Sequence, residues 1–302
     1  MSGDKYNKRR KKILEELDCG KDLSIMELGM YDLTPYFRTD EFDVSLSEKI
    51  MLNKNYERRI QHVSNELYFS PPQYKALECL FRENRVILSA PTSFGKTLLI
   101  KEYIYRQNPK NIVYIVPTNA LAYELERSFK ENEKFSDYTI FDKCSMVEQK
   151  ENENFIEEKL FFIGTQEKYL EINQNVMGEI DLFVIDEAYK LQESVSNQRA
   201  YKLSETFLDS MAINSKKIFL LTPRAILEGF DKYEFYMFKS DFNAVDKNYV
   251  VLEEKNFFNV LLEKGSKEKT ILFCNSPKQI NDGYEKIKDL IKNSRIFFSR
   301  TR

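Results

Sequence analysis

The chain has 302 residues, 42% of them hydrophobic, which is enough for a sizeable core and predicts one large domain or two smaller ones. A formal net charge of −2 excludes a global pull on nucleic acid, although the 46 Lys and Arg residues can still form a local basic groove. No apolar run approaches the roughly 20 residues needed to cross a bilayer. The basic opening MSGDKYNKRRKK leads into the charged ILEELD rather than a signal-peptide core, so no membrane contact and a cytoplasmic location are expected. Cys19, Cys79, Cys144 and Cys274 form no CxxC pair, which argues against a zinc ribbon or disulfide framework and predicts free thiols.

Residues 1–64 are rich in charge and read as a helical preface, in which LSEKIMLNKNYERRIQHVSNEL is an amphipathic helix with apolar Ile50, Leu52, Ile60 and Val63. Basic KRRKK at 8–12 reads as one face of a solvated helix. From about residue 84 strands and helices alternate: RVILSA, KTLLIKEYIYRQ, NIVYIVP, TNALAYELERSFKEN, then KLFFIG with QEKYLEI, IDLFVIDEA with SNQRAYKLSETFLDSM, and KKIFLLTP. That order predicts an α/β fold of βαβ units, with a parallel sheet covered by helices on both faces. Charged EQKENENFIEEK at 148–159 is expected on the rim, and the aromatic stretch from 225 to 268 as a connection carrying one or two strands. Within it, Phe235, Tyr236 and Phe238 read as packing rather than base-stacking residues. KTILFCNS and PKQINDGYEKIKDLIKN then open another βα unit, with Ser276 as N-cap and Pro277 at the first helical position.

The turn APTSFGKT, comprising Ala90, Pro91, Thr92, Ser93, Phe94, Gly95, Lys96 and Thr97, lies between a predicted strand and a predicted helix. That is the context in which a phosphate-binding loop works. Gly95 frees the backbone so that N–H groups surround a phosphate, and the helix contributes its positive N-terminal end. Lys96 would reach the β- and γ-phosphates of ATP, and the Thr97 hydroxyl would hold Mg²⁺. The matching acids are in FVIDEAY, where Asp186 would hold the metal through water and Glu187 would orient and deprotonate the attacking water.

These residues resemble the superfamily 2 DEAD/DEAH-box helicases, from about residue 67 to the C-terminus, and the resemblance implies a RecA-like fold. YFSPPQYKAL resembles the adenine-reading Q motif. Its Gln73 either meets adenine's N6 and N7 or is a polar residue opening the helix of Ala76, Leu77 and Leu80. VPTNALAYEL, with Pro117, Thr118 and Asn119, is similar to motif Ia, and IGTQEKYL, with Gly164, Thr165 and Gln166, to motif Ib. The resemblance implies that these loops take phosphates of one DNA or RNA strand, although Thr or Asn at a helix start also serves as a plain cap. LLTPRA stands where the family couples hydrolysis to strand movement; Thr222 matches the first position, while Pro223 and Arg224 depart from the rest. Tyr189 replaces the last residue of the DExD/H box. DEAYKLQES followed by Arg199 and Glu205 is similar to the Ski2-like branch, and the chain also resembles helicase subunits of bacterial antiphage defence systems.

The domain organisation expected on this basis is an extension over 1–64, a RecA-like ATP-binding domain over 65–245, and a linker with the start of a second, incomplete RecA-like domain over 246–302. TILFCNS is similar to motif IV, but no arginine-rich motif VI follows it in these residues. An arginine finger contributes on the order of 10³ to 10⁵ in rate. The chain therefore reads as part of a longer helicase whose finger comes from a C-terminal domain or a protein partner, with weak hydrolysis on its own. Two other readings share these motifs: a double-stranded-DNA translocase of the restriction type, and a non-catalytic regulatory subunit that binds ATP and nucleic acid.

Overall fold

A computed structural model describes residues 3–37, 45–64, 66–142, 159–172, 178–193, 197–213, 215–225 and 227–242, together with 281 and 285. Seven strands form one sheet: β1 (Arg85–Ser89), β2 (Asn111–Ile115), β3 (Tyr138–Phe141), β4 (Lys159–Gly164), β5 (Leu182–Ile185), β6 (Lys217–Thr222) and β7 (Tyr236–Lys239). Their order is β3-β4-β2-β5-β6-β1-β7, and every pairing is parallel. All loops that leave the carboxyl ends of the strands therefore gather along one edge, the place where open α/β sheets bind ligands.

The helices are α1 (Gly3–Asp18), α2 (Ile25–Gly29), α3 (Leu46–Glu57), α4 (Pro71–Arg82), α5 (Lys96–Gln107), α6 (Asn119–Lys130), α7 (Gln166–Leu170) and α8 (Gln198–Ala212). Successive strand residues bury on opposite faces, as the two-residue period of a strand requires. Val86, Leu88, Ile112, Tyr114, Phe161, Val184 and Phe219 pack against α4, α5 and α6; Ile87, Val113, Ile115, Phe162, Phe183 and Leu220 pack against α7 and α8. Burial on both faces explains why the strands read as continuous apolar runs. The expected RecA-like α/β layering is thus observed for residues 66–242.

Two local expectations are corrected. The amphipathic helix expected over 46–67 stops at Glu57: Leu46 and Ile50 are exposed and its buried residue is Asn55, while Ile60 lies beyond the helix and packs on the main core. β3 was absent from the strands expected, and β7 supplies one of those anticipated between 225 and 268. Phe235 and Phe238 pack on opposite faces of the sheet and Tyr236 is exposed. Ile13, Leu28 and Leu33 form a small separate core among α1, α2 and the following turn. Cys19 and Cys79 are free thiols, while Cys144 and Cys274 lie outside the described residues.

The described residues of 58–69 make a strap closed by an antiparallel bridge between Arg59 and Tyr68. It is fastened to α5 by Glu102, a fully buried carboxylate. Glu102 accepts the backbone N–H groups of Gln61 and His62, binds His62 Nδ1 at 2.6 Å and accepts Arg106 Nε at 2.7 Å. Arg106 also donates to the Arg59 carbonyl at 2.8 Å.

The chain divides into two compact units, Met1–Asp246 and Lys247–Arg302. The expected strand KTILFCNS, the helix after it with Ser276 and Pro277, the start of a second RecA-like domain and most of EQKENENFIEEK lie outside the described residues; Lys159 opens β4. Among the described residues no helix is long and apolar enough to cross a membrane.

Candidate nucleotide and nucleic-acid site

β1 delivers the loop Ala90–Gly95 at the carboxyl edge. The Ala90 N–H bonds the Thr222 carbonyl at the end of neighbouring β6, Thr92–Phe94 form one 3₁₀ turn, and Gly95 reverses the chain into α5 with φ +85°. Only glycine holds that conformation cheaply, so the turn dictates the residue type. Thr92 is exposed, Ser93 half-buried, and Phe94 fully buried with its ring 6.4 Å from that of Phe242. Lys96 starts α5 with its ammonium buried, donating to the carbonyls of Ala90 at 2.8 Å and Pro91 at 3.1 Å. Thr97 follows with its side chain exposed at the helix start.

Asp186 and Glu187 follow β5, one strand removed from the loop-bearing β1. The Asp186 N–H bonds the Ile115 carbonyl at 2.9 Å, and the Glu187 N–H donates to Asp186 Oδ1 at 2.8 Å. Glu187 is held in the left-handed region at φ +51°, a conformation costing about 1 kcal/mol or more for a non-glycine residue. Its carboxylate pairs with Lys190 Nζ at 2.5 Å.

The loop and the acids act on each other's charges. Burial pushes the Lys96 ammonium down, opposed by Asp186 and Glu187. Burial pushes the Asp186 carboxyl up; the Glu187 N–H and Lys96 pull the other way. Beneath them, the fully buried Tyr114 hydroxyl on β2 has no partner at hydrogen-bonding geometry, and the Thr97 hydroxyl and Asp186 are the polar groups that influence it. A buried ammonium, an exposed threonine at a helix N-terminus, a glycine-cradled loop and a desolvated Asp186 beside a more exposed Glu187 fit a magnesium-bound polyphosphate in charge and donor type.

Gln73 stands on the first turn of α4 and its amide is engaged. Oε1 accepts the Ser70 N–H at 2.8 Å and Ser70 hydroxyl at 2.9 Å, closing a capping box, and Nε2 donates to the Phe94 carbonyl at 2.7 Å. The residue thus ties α4 to the phosphate loop, a contact absent from either sequence reading of it.

The two loops expected to meet nucleic acid are adjacent. Pro117 is buried, Thr118 half-buried and Asn119 exposed, with Thr118 Oγ1 capping α6 through the Leu121 N–H at 3.3 Å. Thr165 and Gln166 are buried, the latter 3.1 Å from Glu167 Oε1. Gly164 is required by packing, since a Cβ there would sit 2.5 Å from Phe162 Cζ. Arg199 of α8 links the loops, donating to the Pro117 carbonyl at 2.6 Å and to Glu167 at 2.9 Å. Thr222 is fully buried with its hydroxyl 3.0 Å from the Pro223 carbonyl, and exposed Arg224 meets Asp241. Lys190, and the clasp that Arg199 makes, are additions that only three-dimensional proximity reveals. Among the described residues no group of three or more His, Cys, Asp or Glu could hold a metal by itself.

Two curated proteins are similar to this chain. The "Anti-bacteriophage protein B" of Escherichia coli K12 is 28% identical over 235 residues, covering 71% of this chain and 30% of that protein. The "ATP-dependent DNA helicase Hel308" of Thermoplasma acidophilum is 29% identical over 132 residues, 42% of this chain and 19% of that protein. The chain thus spans less than a third of the length of either relative. Among solved structures, the DUF1998 helicase MrfA superposes with a TM-score of 0.54 at 17% identity, covering 83% of this chain and 41% of that one, which is a likeness of fold. The family profile of the DEAD/DEAH box helicases matches residues 70–232, more than half of the chain and all of the elements from α4 to β6. The chain belongs to the DEAD/DEAH box helicase family.

Proposed function

We propose that the chain is the ATP-binding half of a nucleic-acid motor, coupling Mg-ATP hydrolysis to movement along or unwinding of a strand. The observation that carries this is the placement of Lys96, at the head of α5 after β1, and of Asp186 and Glu187, after β5, 90 or more positions apart in the chain but together at the carboxyl edge of one parallel sheet, near enough to act on each other's charges. Lys96 exchanges its two loop carbonyls for β- and γ-phosphate oxygens, with the N–H groups of the turn from Ala90 to Gly95 around them. Thr97 and Asp186 hold Mg²⁺, which when bound neutralises phosphate charge. Glu187 orients the attacking water and takes its proton, with Lys190 fixing the carboxylate. Gln73 serves by bracing the phosphate loop. Asn119 and Thr118 meet the nucleic-acid backbone, and the buried Pro117, Gly164, Thr165 and Gln166 hold the loops that present them. Thr222 and Arg224 lie where coupling to a second RecA-like domain would run. We place the extension at 1–64, the ATP-binding domain at 65–245 and the linker into the second domain at 246–302, with the arginine finger arriving from that domain or from a partner.

The relative named as a DNA helicase supports DNA as the track, and the relative named for anti-bacteriophage action supports phage defence as the setting of the whole protein. Lys96→Ala should raise the Kd for Mg-ATP by on the order of 100-fold, because two charge-assisted bonds to phosphate disappear. Glu187→Gln should leave binding intact while lowering nucleic-acid-stimulated hydrolysis by on the order of 10²-fold or more. Equal ATP affinity in Lys96→Ala and wild type would refute the site, and equal turnover in Glu187→Gln and wild type would refute Glu187 as the group that activates the water; no stimulated turnover in the wild type joined to a complete second domain would favour a binding-only role.

A further inference from the structure

Tyr114 fills a core position with a polar group that packing does not require. It stands on β2 in register with Val184 of β5, fully buried on the face covered by α4, α5 and α6. The same sheet fills comparable positions with Phe161, Phe183 and Phe219. A phenylalanine at 114 would bury the same ring without leaving a hydroxyl that lacks a partner at hydrogen-bonding geometry, and such a hydroxyl is a net cost to folding. Departures of this kind from the rules of a well-made core concentrate at functional sites.

The surroundings of the hydroxyl point to its use. Side chains alternate across a strand, so Asp186, two residues past Val184, leaves β5 toward the face that Tyr114 occupies. The Asp186 N–H bonds the carbonyl of Ile115, the residue after Tyr114. Thr97 lies in the first turn of α5, one of the helices that cover this face. The phenol therefore lies beneath the two side chains assigned above to magnesium. It also responds to both: burial pushes it well above its ordinary value, Asp186 adds to that push, and the Thr97 hydroxyl opposes it. A phenol in such a setting keeps its proton and is a donor as well as an acceptor.

We propose that Tyr114 is a positioning residue of the magnesium site: its oxygen accepts the Thr97 hydroxyl proton and its own proton goes to the Asp186 carboxylate, so that the two ligands are tied together from beneath. The inference rests on the reading above in which Thr97 and Asp186 hold the metal. A threonine that turns its oxygen to a cation must send its proton elsewhere, and the phenol oxygen is the acceptor below it. Exposed Thr97 has room to turn, and threonine divides between two rotamers in a helix. Asp186 Oδ1 already accepts the Glu187 N–H at 2.8 Å, and a carboxylate has lone pairs for a second donor. The two bonds close as the ligands turn to the metal, and they fix the orientation of both, as outer partners of metal ligands do.

The test is Tyr114→Phe in the whole 302-residue chain, a change that removes one oxygen and keeps the ring. In EDTA and without nucleotide, its melting temperature should equal that of wild type or exceed it by up to about 4 °C, because the hydroxyl without a partner is gone. In titration calorimetry its Kd for Mg-ATP should rise about tenfold, the equivalent of one hydrogen bond, while its Kd for ATP in EDTA stays that of wild type. A residue that only packs would move both constants or neither. On a Thr97→Val background, which lacks the hydroxyl that the phenol accepts, adding Tyr114→Phe should cost about threefold or less. An unchanged Kd for Mg-ATP, an equal loss with and without magnesium, additive losses in the double variant, or a fall in the metal-free melting temperature would overturn the proposal. Thr97→Val and Asp186→Asn separate the two readings. If both weaken Mg-ATP binding while Tyr114→Phe binds as wild type does, only the tyrosine link falls; if neither weakens it, the magnesium site falls and the link with it.

Discussion

Glu102→Gln tests whether a buried ionic cluster holds the helix that carries Lys96. Glu102 is fully buried, and its two oxygens receive Gln61 N–H, His62 N–H, His62 Nδ1 and Arg106 Nε. The amide keeps the volume and one acceptor, but it turns an NH₂ group toward donors and leaves Arg106 without a counter-charge. Charge-assisted bonds contribute about 1.5–3 kcal/mol each. Breaking a buried pair from one side costs about 3–5 kcal/mol. Arg106 keeps some contact with water, with its side chain 17% exposed, so the loss belongs near the lower limit, about 3 kcal/mol. For a domain of this size that lowers the melting temperature by roughly 6–12 °C at pH 7, read by circular dichroism. Burial pushes the Glu102 carboxyl up, but the bonds from His62, Gln61 and Arg106 outweigh it and hold the group below its ordinary 4.5. A depressed value in the folded state means that the stabilisation is full above the unfolded pKa and is lost as pH falls through the folded one. The gap between wild type and variant should therefore close in acid, below pH 4.5. A loss under about 1 kcal/mol at pH 7, or a gap that widens in acid, would refute the cluster as the anchor of α5.

Gly164→Ala should cost about 1–3 kcal/mol in chemical unfolding, because the new methyl forces the packed Phe162 ring aside. Phe162→Leu should recover part of that loss in a double-mutant cycle, and strict additivity would dismiss the steric account. Glu187→Gly should abolish stimulated ATP hydrolysis while raising stability by up to about 1 kcal/mol, since glycine relieves the left-handed backbone; a drop in melting temperature would contradict the strain at φ +51°.

The α/β alternation was legible because a sheet buried on both faces imposes unbroken apolar runs such as FLL and FVI, and the phosphate turn because Gly95 is local chemistry. β3 was hidden: Tyr138–Phe141 is a short edge strand whose one neighbour is β4, so it carries a weak apolar run. α3 misled because its apolar Leu46 and Ile50 are exposed while its buried residue is the polar Asn55, whose Nδ2 reaches the Thr34 carbonyl 21 residues away. The uses of Gln73 as a brace and of Arg199 as a clasp between loops depend on bonds spanning 21 and 82 positions, which no local pattern encodes. Gly164 shows the converse, a residue noticed within a motif whose identity is set by the ring two positions before it.

Lys96 and Glu102 stand on the same helix, about 9 Å apart along its axis at 1.5 Å of rise per residue. A stiff strut therefore runs from the phosphate grip to the strap at 58–69. Any pull on that leading segment must tear three groups of Gln61 and His62 from a single carboxylate, and the Arg59 carbonyl from Arg106, before it comes loose, and until then the load is delivered to the ammonium at the other end. The leader and the engine are geared together, so whatever grasps the first has a mechanical handle on the second.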